Sequence, residues 1–508
     1  MKCRSLMIQG TASHVGKSIL VTAFCRILRQ DGYNVAPFKA QNMALNSFIT
    51  RTGGEMGRAQ VVQAEAAGVE PDVDMNPVLI KPNTDVGAQV IIHGRVYENM
   101  SASLYHKFKK HAREFVRESF QRLSENYDFI IIEGAGSPAE INLRENDIAN
   151  MGMAEIADCS VVLAGDIDRG GVFASLVGTI ELLSENERQR IKGFIINKFR
   201  GDISLLKPGL NFLEEKTGIP VLGTVPYFKD IYIQEEDGVS LERLLIPSGG
   251  NGKIDVAVVC LPHISNFTDF DPFEREPGVN LRYVNYGEKI GNAGVIIIPG
   301  SKNTIDDLNY LHNSGYVQEI LRHYRNGGLV VGICGGYQML GEYIEDPYHI
   351  ETSIESINGI GLLPVRTLIE KKKETSQVTA KIHKLNRFFK NAEELTGYEI
   401  HMGKTELRSE QYMFEIIQRG KKRTSAPEGF ISEDGRVWGT YIHGIFDNDG
   451  FRRNFIKRAR LTNGISVHSE EHDSFSFQEF KETQYDRLAA LVIRSINMEA
   501  FYKITGLR

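Results

Sequence analysis

Residues 5–18 read Ser-Leu-Met-Ile-Gln-Gly-Thr-Ala-Ser-His-Val-Gly-Lys-Ser: an apolar run, a glycine-bounded loop, and the start of a helix whose inner face carries Leu20, Phe24, Ile27 and Leu28. Glycines permit a tight loop whose backbone N–H groups point inward, and a helix N-terminus adds partial positive charge, so the unit suits phosphate oxygens. Lys17 can reach the outer phosphates and the Ser18 hydroxyl can ligate Mg2+. Thr11 and Gly16 belong to the same cradle. The usual pattern has four residues between its glycines; Gly10 and Gly16 enclose five, so this is a lengthened variant.

On either side of this unit, short apolar runs alternate with helix-like segments, the habit of a parallel sheet covered by helices. The expected strands are Ser5 to Gln9, Tyr33 to Phe38, Asp128 to Glu133, Ser160 to Asp166, Gly193 to Lys198 and Pro220 to Val225. Ser101 to Asn126 reads as one amphipathic helix behind a capping serine. Glu133 ends its strand at the crevice where ligands bind in such sheets and is a candidate Mg2+ ligand; the alternative is a carboxylate capping the next turn. In Asp166-Ile-Asp-Arg-Gly-Gly171, Asp166 and Arg169 either hold metal, phosphate or substrate, or the acids cap the following helix. Asn197-Lys198 resembles a base-reading Asn-Lys pair, which makes Asn197 a nucleotide contact.

Pro247-Ser-Gly-Gly-Asn-Gly-Lys253 reads as a linker. Beyond it a second α/β pattern begins, with strands at Asp255 to Cys260, Val295 to Ile298 and Leu329 to Ile333. The expected organisation is a nucleotide domain at 1–246, a linker at 247–253, a second domain at 254–449 and a helical segment at 450–508. The basic runs Lys371 to Lys373 and Lys421 to Arg423 read as solvated loop charge.

In Val330-Val-Gly-Ile-Cys-Gly-Gly-Tyr-Gln-Met-Leu340, Cys334 sits between a buried strand and a helix, flanked by glycines. That is the geometry of a nucleophile elbow, with the helix N-terminus favouring thiolate. Its base is expected in Trp438-Gly-Thr-Tyr-Ile-His-Gly-Ile-Phe-Asp447 as His443, with His401 as the other candidate. Backbone N–H groups at Gly300 and Gly335 are candidate oxyanion contacts.

Composition limits the alternatives. With 508 residues the chain exceeds a single core, and 59 Lys+Arg against 65 Asp+Glu disfavours a dedicated nucleic-acid binder. Five scattered cysteines without a C-x-x-C pair fit a reducing cytoplasm. Polar residues interrupt the first apolar run too soon for a signal peptide, and no stretch approaches a membrane span.

The second half resembles class I glutamine amidotransferase domains, where a Gly-x-Cys-x-Gly elbow and a distant His hydrolyse glutamine through a thioester. In most of that class a Glu two residues after the His orients the imidazole; here that position is Ile445, as in the cobyric acid and cobyrinic acid diamide synthase branch. The first half resembles dethiobiotin-synthetase-like ATPases, which share the lengthened loop and the Glu-Gly-Ala-Gly strand end. In this order the halves resemble the cobyric acid synthase family. The more specific stretches are Phe38-Lys-Ala-Gln-Asn-Met-Ala-Leu-Asn-Ser47, Asn76-Pro-Val-Leu-Ile-Lys-Pro-Asn-Thr84, Asp166-Ile-Asp-Arg-Gly-Gly171 and Leu261-Pro-His-Ile-Ser-Asn-Phe-Thr-Asp-Phe-Asp271.

The resemblance implies two α/β domains, one P-loop NTPase-like and one flavodoxin-like. It implies ATP and Mg2+ as cofactors, and amidation of adenosylcobyrinic acid a,c-diamide at its b, d, e and g carboxylates. It also implies substrate contacts at Asn46, Lys81 and Asn83, whose alternative roles are loop capping and surface solvation. The partners implied are small molecules: corrinoid, glutamine and ATP. Two other readings stay open at this point, a cobyrinic acid a,c-diamide synthase and a nonenzymatic ATP-driven switch of the partition-ATPase kind.

Overall fold

The computed structural model describes residues 3–82, 87–234, 253–383, 389, 394–407, 411–465 and 475–507. It resolves into two units. The first comprises Met1–Ala44, Glu55–Gln234 and Glu479–Arg508; the second comprises Leu45–Gly54 and Glu235–Gln478.

The first unit is built on a fully parallel sheet with strand order Val221–Pro226, Ile191–Phe199, Ser160–Asp166, Arg4–Gly10, Phe129–Glu133, Val35–Phe38. All six are the expected strands. Leu6, Ile8, Ile130, Ile131, Val162 and Ile195 are buried because both sheet faces are covered, so these strands read as continuous apolar runs. Register sets Ile8 beside Glu133 and Gly10 beside Ala164, which brings the loop after Gly10 to the same sheet edge as Glu133. The long helix spans Ala102–Asn126, with Ser101 accepting the Leu104 N–H. A smaller sheet of Gln41–Met43, Val78–Pro82, Gly87–Ile92 and Arg95–Ser101 was not anticipated.

The helical segment expected at 450–508 is divided, and its last part, from Glu479, completes this unit. Helix Asp449–Thr462 falls in the second unit, whereas Phe477–Ser495, from Glu479 onward, and Met498–Thr505 fall in the first. Phe501 stacks on Phe24 at 4.5 Å between ring centroids, and Leu488, Ala489 and Val492 join the core that contains Leu6 and Ile8. Arg26 binds Glu482 at 2.8 Å and Asp486 at 2.7 Å, while Glu65 accepts from Lys481 and Tyr485. Local sequence patterns carry no trace of such long-range packing. Phe501→Ala is expected to destabilise the unit by about 3–5 kcal/mol, the usual cost of emptying a buried aromatic site, read as a lower denaturant midpoint. An unchanged midpoint would contradict this placement. Residues 247–252 of the expected linker lie outside the described residues.

The second unit carries a six-stranded sheet with order Val279–Val284, Ile254–Val259, Val295–Ile298, Leu329–Ile333, Val437–Thr440, Phe430–Ile431, parallel except for the last pair. Beside it lies a sheet that was not anticipated, in which Val365–Ile382 and Leu395–Leu407 pair antiparallel and Phe414–Arg419 and Lys422–Glu428 extend the array. Residues 45–54 also belong here. Asn266 Nδ2 donates to Ser47 O at 2.9 Å and to Tyr398 Oη at 2.8 Å. Among the described residues no helix is long and apolar enough to cross a membrane.

Candidate functional site

The phosphate loop is held from several directions. Gly16 adopts φ 96°, which L side chains rarely take, and a Cβ there would lie 2.1 Å from Asn197 Nδ2. Asn197 donates to Val15 O at 2.8 Å, and Lys198 Nζ donates to His14 O at 2.6 Å and to Asp166 at 2.8 Å. The Asn-Lys pair therefore braces the loop backbone itself. Thr11 N donates to Ala164 O, and Ala12, Ser13 and His14 stay exposed at the loop tip. Asp168 pairs with Arg200 at 2.7 Å, and Arg169 is exposed.

Lys17 Nζ donates to Ala12 O at 2.9 Å and to Gly136 O at 3.0 Å, which ties the loop to the Glu-Gly-Ala-Gly strand end. Burial lowers its ammonium to about 8, offset in part by Glu133 and reinforced by Lys39. Ser18 Oγ donates to Glu133 Oε1 at 2.8 Å, so the two expected metal ligands meet. Glu133 is 2% exposed. Although burial opposes its charge, the Lys39 ammonium at 2.9 Å and bonds from Gln63 and Ser18 hold it below the usual carboxylate range. Among the described residues no group of three or more His, Cys, Asp or Glu can hold a metal alone. A cation at Ser18 and Glu133 therefore needs phosphate and water oxygens, the habit of Mg2+.

Lys39, to which the sequence motifs assign no role, directly follows strand Val35–Phe38 at the ligand-binding edge of the sheet. Lys81 lies inside the same unit in an ion pair with Glu55 at 2.8 Å, and is 3% exposed. Asn46 is buried in the second unit. Asn83 lies outside the described residues.

In the second unit Cys334 stands at φ 51°, ψ −108° between strand Leu329–Ile333 and helix Gly335–Leu340. Strain at a non-glycine residue here is what a nucleophile elbow requires. The flanking glycines let the turn close: a Cβ at Gly336 would lie 2.0 Å from Ile298 O, and one at Gly335 2.9 Å from Ser301 N. Cys334 N donates to Thr440 O at 2.8 Å, and Sγ reaches Ile400 O at 3.6 Å. Gln338 N, bonded to Cys334 O, is the first to find a carbonyl along the helix, so the N–H groups of its first turn face the elbow.

His443 is 1% exposed. Its Nδ1 bonds Asp269 Oδ2 at 2.6 Å, and the other Asp269 oxygen accepts the Gly444 N–H at 2.9 Å. Burial alone would lower the imidazole, but the Asp269 charge and hydrogen bonds to Asp269 and Cys334 raise it to about 10. Tyr398 stacks on the ring, and a Cβ at Gly300 would lie 3.3 Å from His443 Cε1. Asp269 thus takes the orienting place that Ile445, a core residue, leaves vacant in sequence. It lies 174 residues from His443, so only the distinctive stretch Leu261 to Asp271 could have signalled it. His401 instead bonds Gly403 O through Nδ1 and stacks on Tyr441, with burial lowering its pKa.

Residues 6–241 match the CobQ/CobB/MinD/ParA nucleotide binding domain, and residues 255–451 match the CobB/CobQ-like glutamine amidotransferase domain. Among curated relatives, the cobyric acid synthase of Caldanaerobacter subterraneus subsp. tengcongensis is 53% identical over 508 residues, covering 98% of each chain. That of Thermoanaerobacter sp. is 54% identical over 503 residues, again covering 98% of each.

Proposed function

The chain belongs to the cobyric acid synthase family, and from that premise we propose how its two sites divide one amidation. The enzyme uses ATP and glutamine to amidate corrinoid carboxylates; the b, d, e and g positions of the a,c-diamide are the proposed targets. A carboxylate has no good leaving group. One of its oxygens therefore attacks the γ-phosphorus of ATP, breaking the bond to the β-phosphate oxygen and giving an acyl phosphate and ADP. Lys17 and the loop N–H groups stabilise the charge that develops on the transferring group. Ser18 and Glu133 are the residues that would hold Mg2+, which neutralises phosphate charge when bound. Ammonia then attacks the acyl carbon, and phosphate leaves.

The nitrogen comes from glutamine. The Cys334 thiolate attacks the side-chain amide carbon, and first-turn N–H groups including that of Gly335 stabilise the oxyanion. The His443 imidazolium gives its proton to the departing ammonia. Water next attacks the thioester while His443 takes a proton back, releasing glutamate and the thiolate. The observation that carries this reading is the buried Asp269–His443 pair beside a strained Cys334. Its test is conversion of a defined corrinoid a,c-diamide with glutamine and ATP, counted by mass. Four added amides support the assignment; a product limited to two, or none, contradicts it.

Asp269 is a positioning residue in this scheme. Asp269→Asn is expected to lower glutaminase kcat on the order of 10²–10⁴-fold, as loss of an orienting carboxylate does, with KM little changed. The sign of the pH effect follows from the raised imidazole: His443 keeps its proton until about pH 10. Without the Asp269 charge the proton leaves at lower pH, so the alkaline limb of the rate profile moves toward acid. An unmoved limb would remove Asp269 from this role.

A further inference from the structure

Helix Arg58–Ala67 presents glutamines to the interior where apolar residues are expected, and both Gln60 and Gln63 are fully buried. Gln63 Nε2 donates to Glu133 Oε2 at 2.5 Å, while its Oε1 is buried without a hydrogen-bond partner. A buried carbonyl without a partner is costly, so its place beside a functional carboxylate needs a reason.

The two oxygens of Glu133 are treated differently. Oε1 accepts from both the Ser18 hydroxyl and the Lys39 ammonium, whereas Oε2 accepts from Gln63. A divalent cation at Ser18 and Glu133 repels the Lys39 ammonium from the oxygen they would share. The Gln63 amide is neutral and sits on the opposite oxygen, so nothing drives it away. It is the one contact of the three that can hold the carboxylate plane fixed while the partners of Oε1 exchange. The partnerless Gln63 Oε1 is an acceptor only, and water on a hydrated cation, its lone pair committed to the metal, is a donor only.

From these complementary needs we infer that Gln63 is a positioning residue for the Mg2+ of the nucleotide site: its amide fixes Glu133 and its carbonyl accepts from the cation's water shell. The inference rests on the reading of this loop as a magnesium–nucleotide site. Outer-shell partners of this kind are worth 10–100-fold in metal affinity.

The test uses the full chain with Mn2+ as the probe, titrated into ADP-saturated protein and read from the free Mn2+ spin-resonance signal. ADP affinity is measured separately with chelator present. In Gln63→Leu the Mn2+ dissociation constant is expected to rise about 10–100-fold, with metal-free ADP affinity within about twofold of wild type. Gln63→Met, which keeps length without the amide, is expected to behave alike and serves if the leucine variant does not fold. Unchanged Mn2+ affinity, or an equal loss of metal-free ADP affinity, overturns the inference and leaves the nucleotide site standing. Failure of the wild-type chain to bind Mn2+ with ADP overturns both.

Discussion

Cys334→Ser is expected to abolish glutamine-dependent amidation while ammonium salts still support it. The serine hydroxyl fits the elbow, because it keeps the backbone bond to Thr440 O and can take the place of the thiol beside Ile400 O and His443. A serine is hardly ionised near neutrality, so the variant lacks the thiolate that attacks the amide. Loss of a nucleophile costs on the order of 10⁴-fold or more. The ATP-dependent step requires only that ammonia arrive unprotonated, so rescue by ammonium salts is expected to improve as pH rises. Loss of activity with both nitrogen sources would contradict the separation of roles.

Lys17→Ala is expected to have the converse signature: amidation falls on the order of 10²–10³-fold with either nitrogen source, the cost of removing one preorganised donor, while glutamine hydrolysis persists. The ammonium is buried against Ala12 O and Gly136 O and is lowered to about 8. Its charge is therefore present below that pH and fades above it in the nucleotide-free enzyme. ATP affinity is expected to weaken as pH rises past about 8, and Lys17→Arg, which stays charged, is expected to lose this dependence even where its rate is poor. An ATP dissociation constant flat across that range would contradict the lowered Lys17 ammonium, and normal amidation by Lys17→Ala would contradict the assignment of the loop.

Legibility in the sequence followed the range of the interactions. The strand Phe129–Glu133 and its neighbours are buried on both faces, so they announce themselves as apolar runs, and the loop between Gly10 and Ser18 is defined by local chain chemistry. The sheet containing Val365–Ile382 and Leu395–Leu407 escaped notice because it is partly exposed, and Lys371 to Lys373 sit on one of its strands instead of in a loop. Lys421 to Arg423 likewise fall at the hairpin between Phe414–Arg419 and Lys422–Glu428. Phe501 reaches Phe24, and Asp269 reaches His443, through folding alone. Gln63 lies in a run rich in Ala, Val and Gln that carries no motif, and its bond to Glu133 together with its unpartnered carbonyl becomes visible only in the folded chain.

One chain thus releases nitrogen at Cys334 and uses ATP at the phosphate loop to install it. Supplying amide-labelled glutamine together with unlabelled ammonium, ATP and a corrinoid a,c-diamide, and reading the isotope in the amides of the product, tests this division. The wild-type enzyme is expected to place label in its new amides, and Cys334→Ser to yield unlabelled amides only. Label from the Cys334→Ser protein, or none from wild type, would contradict the account.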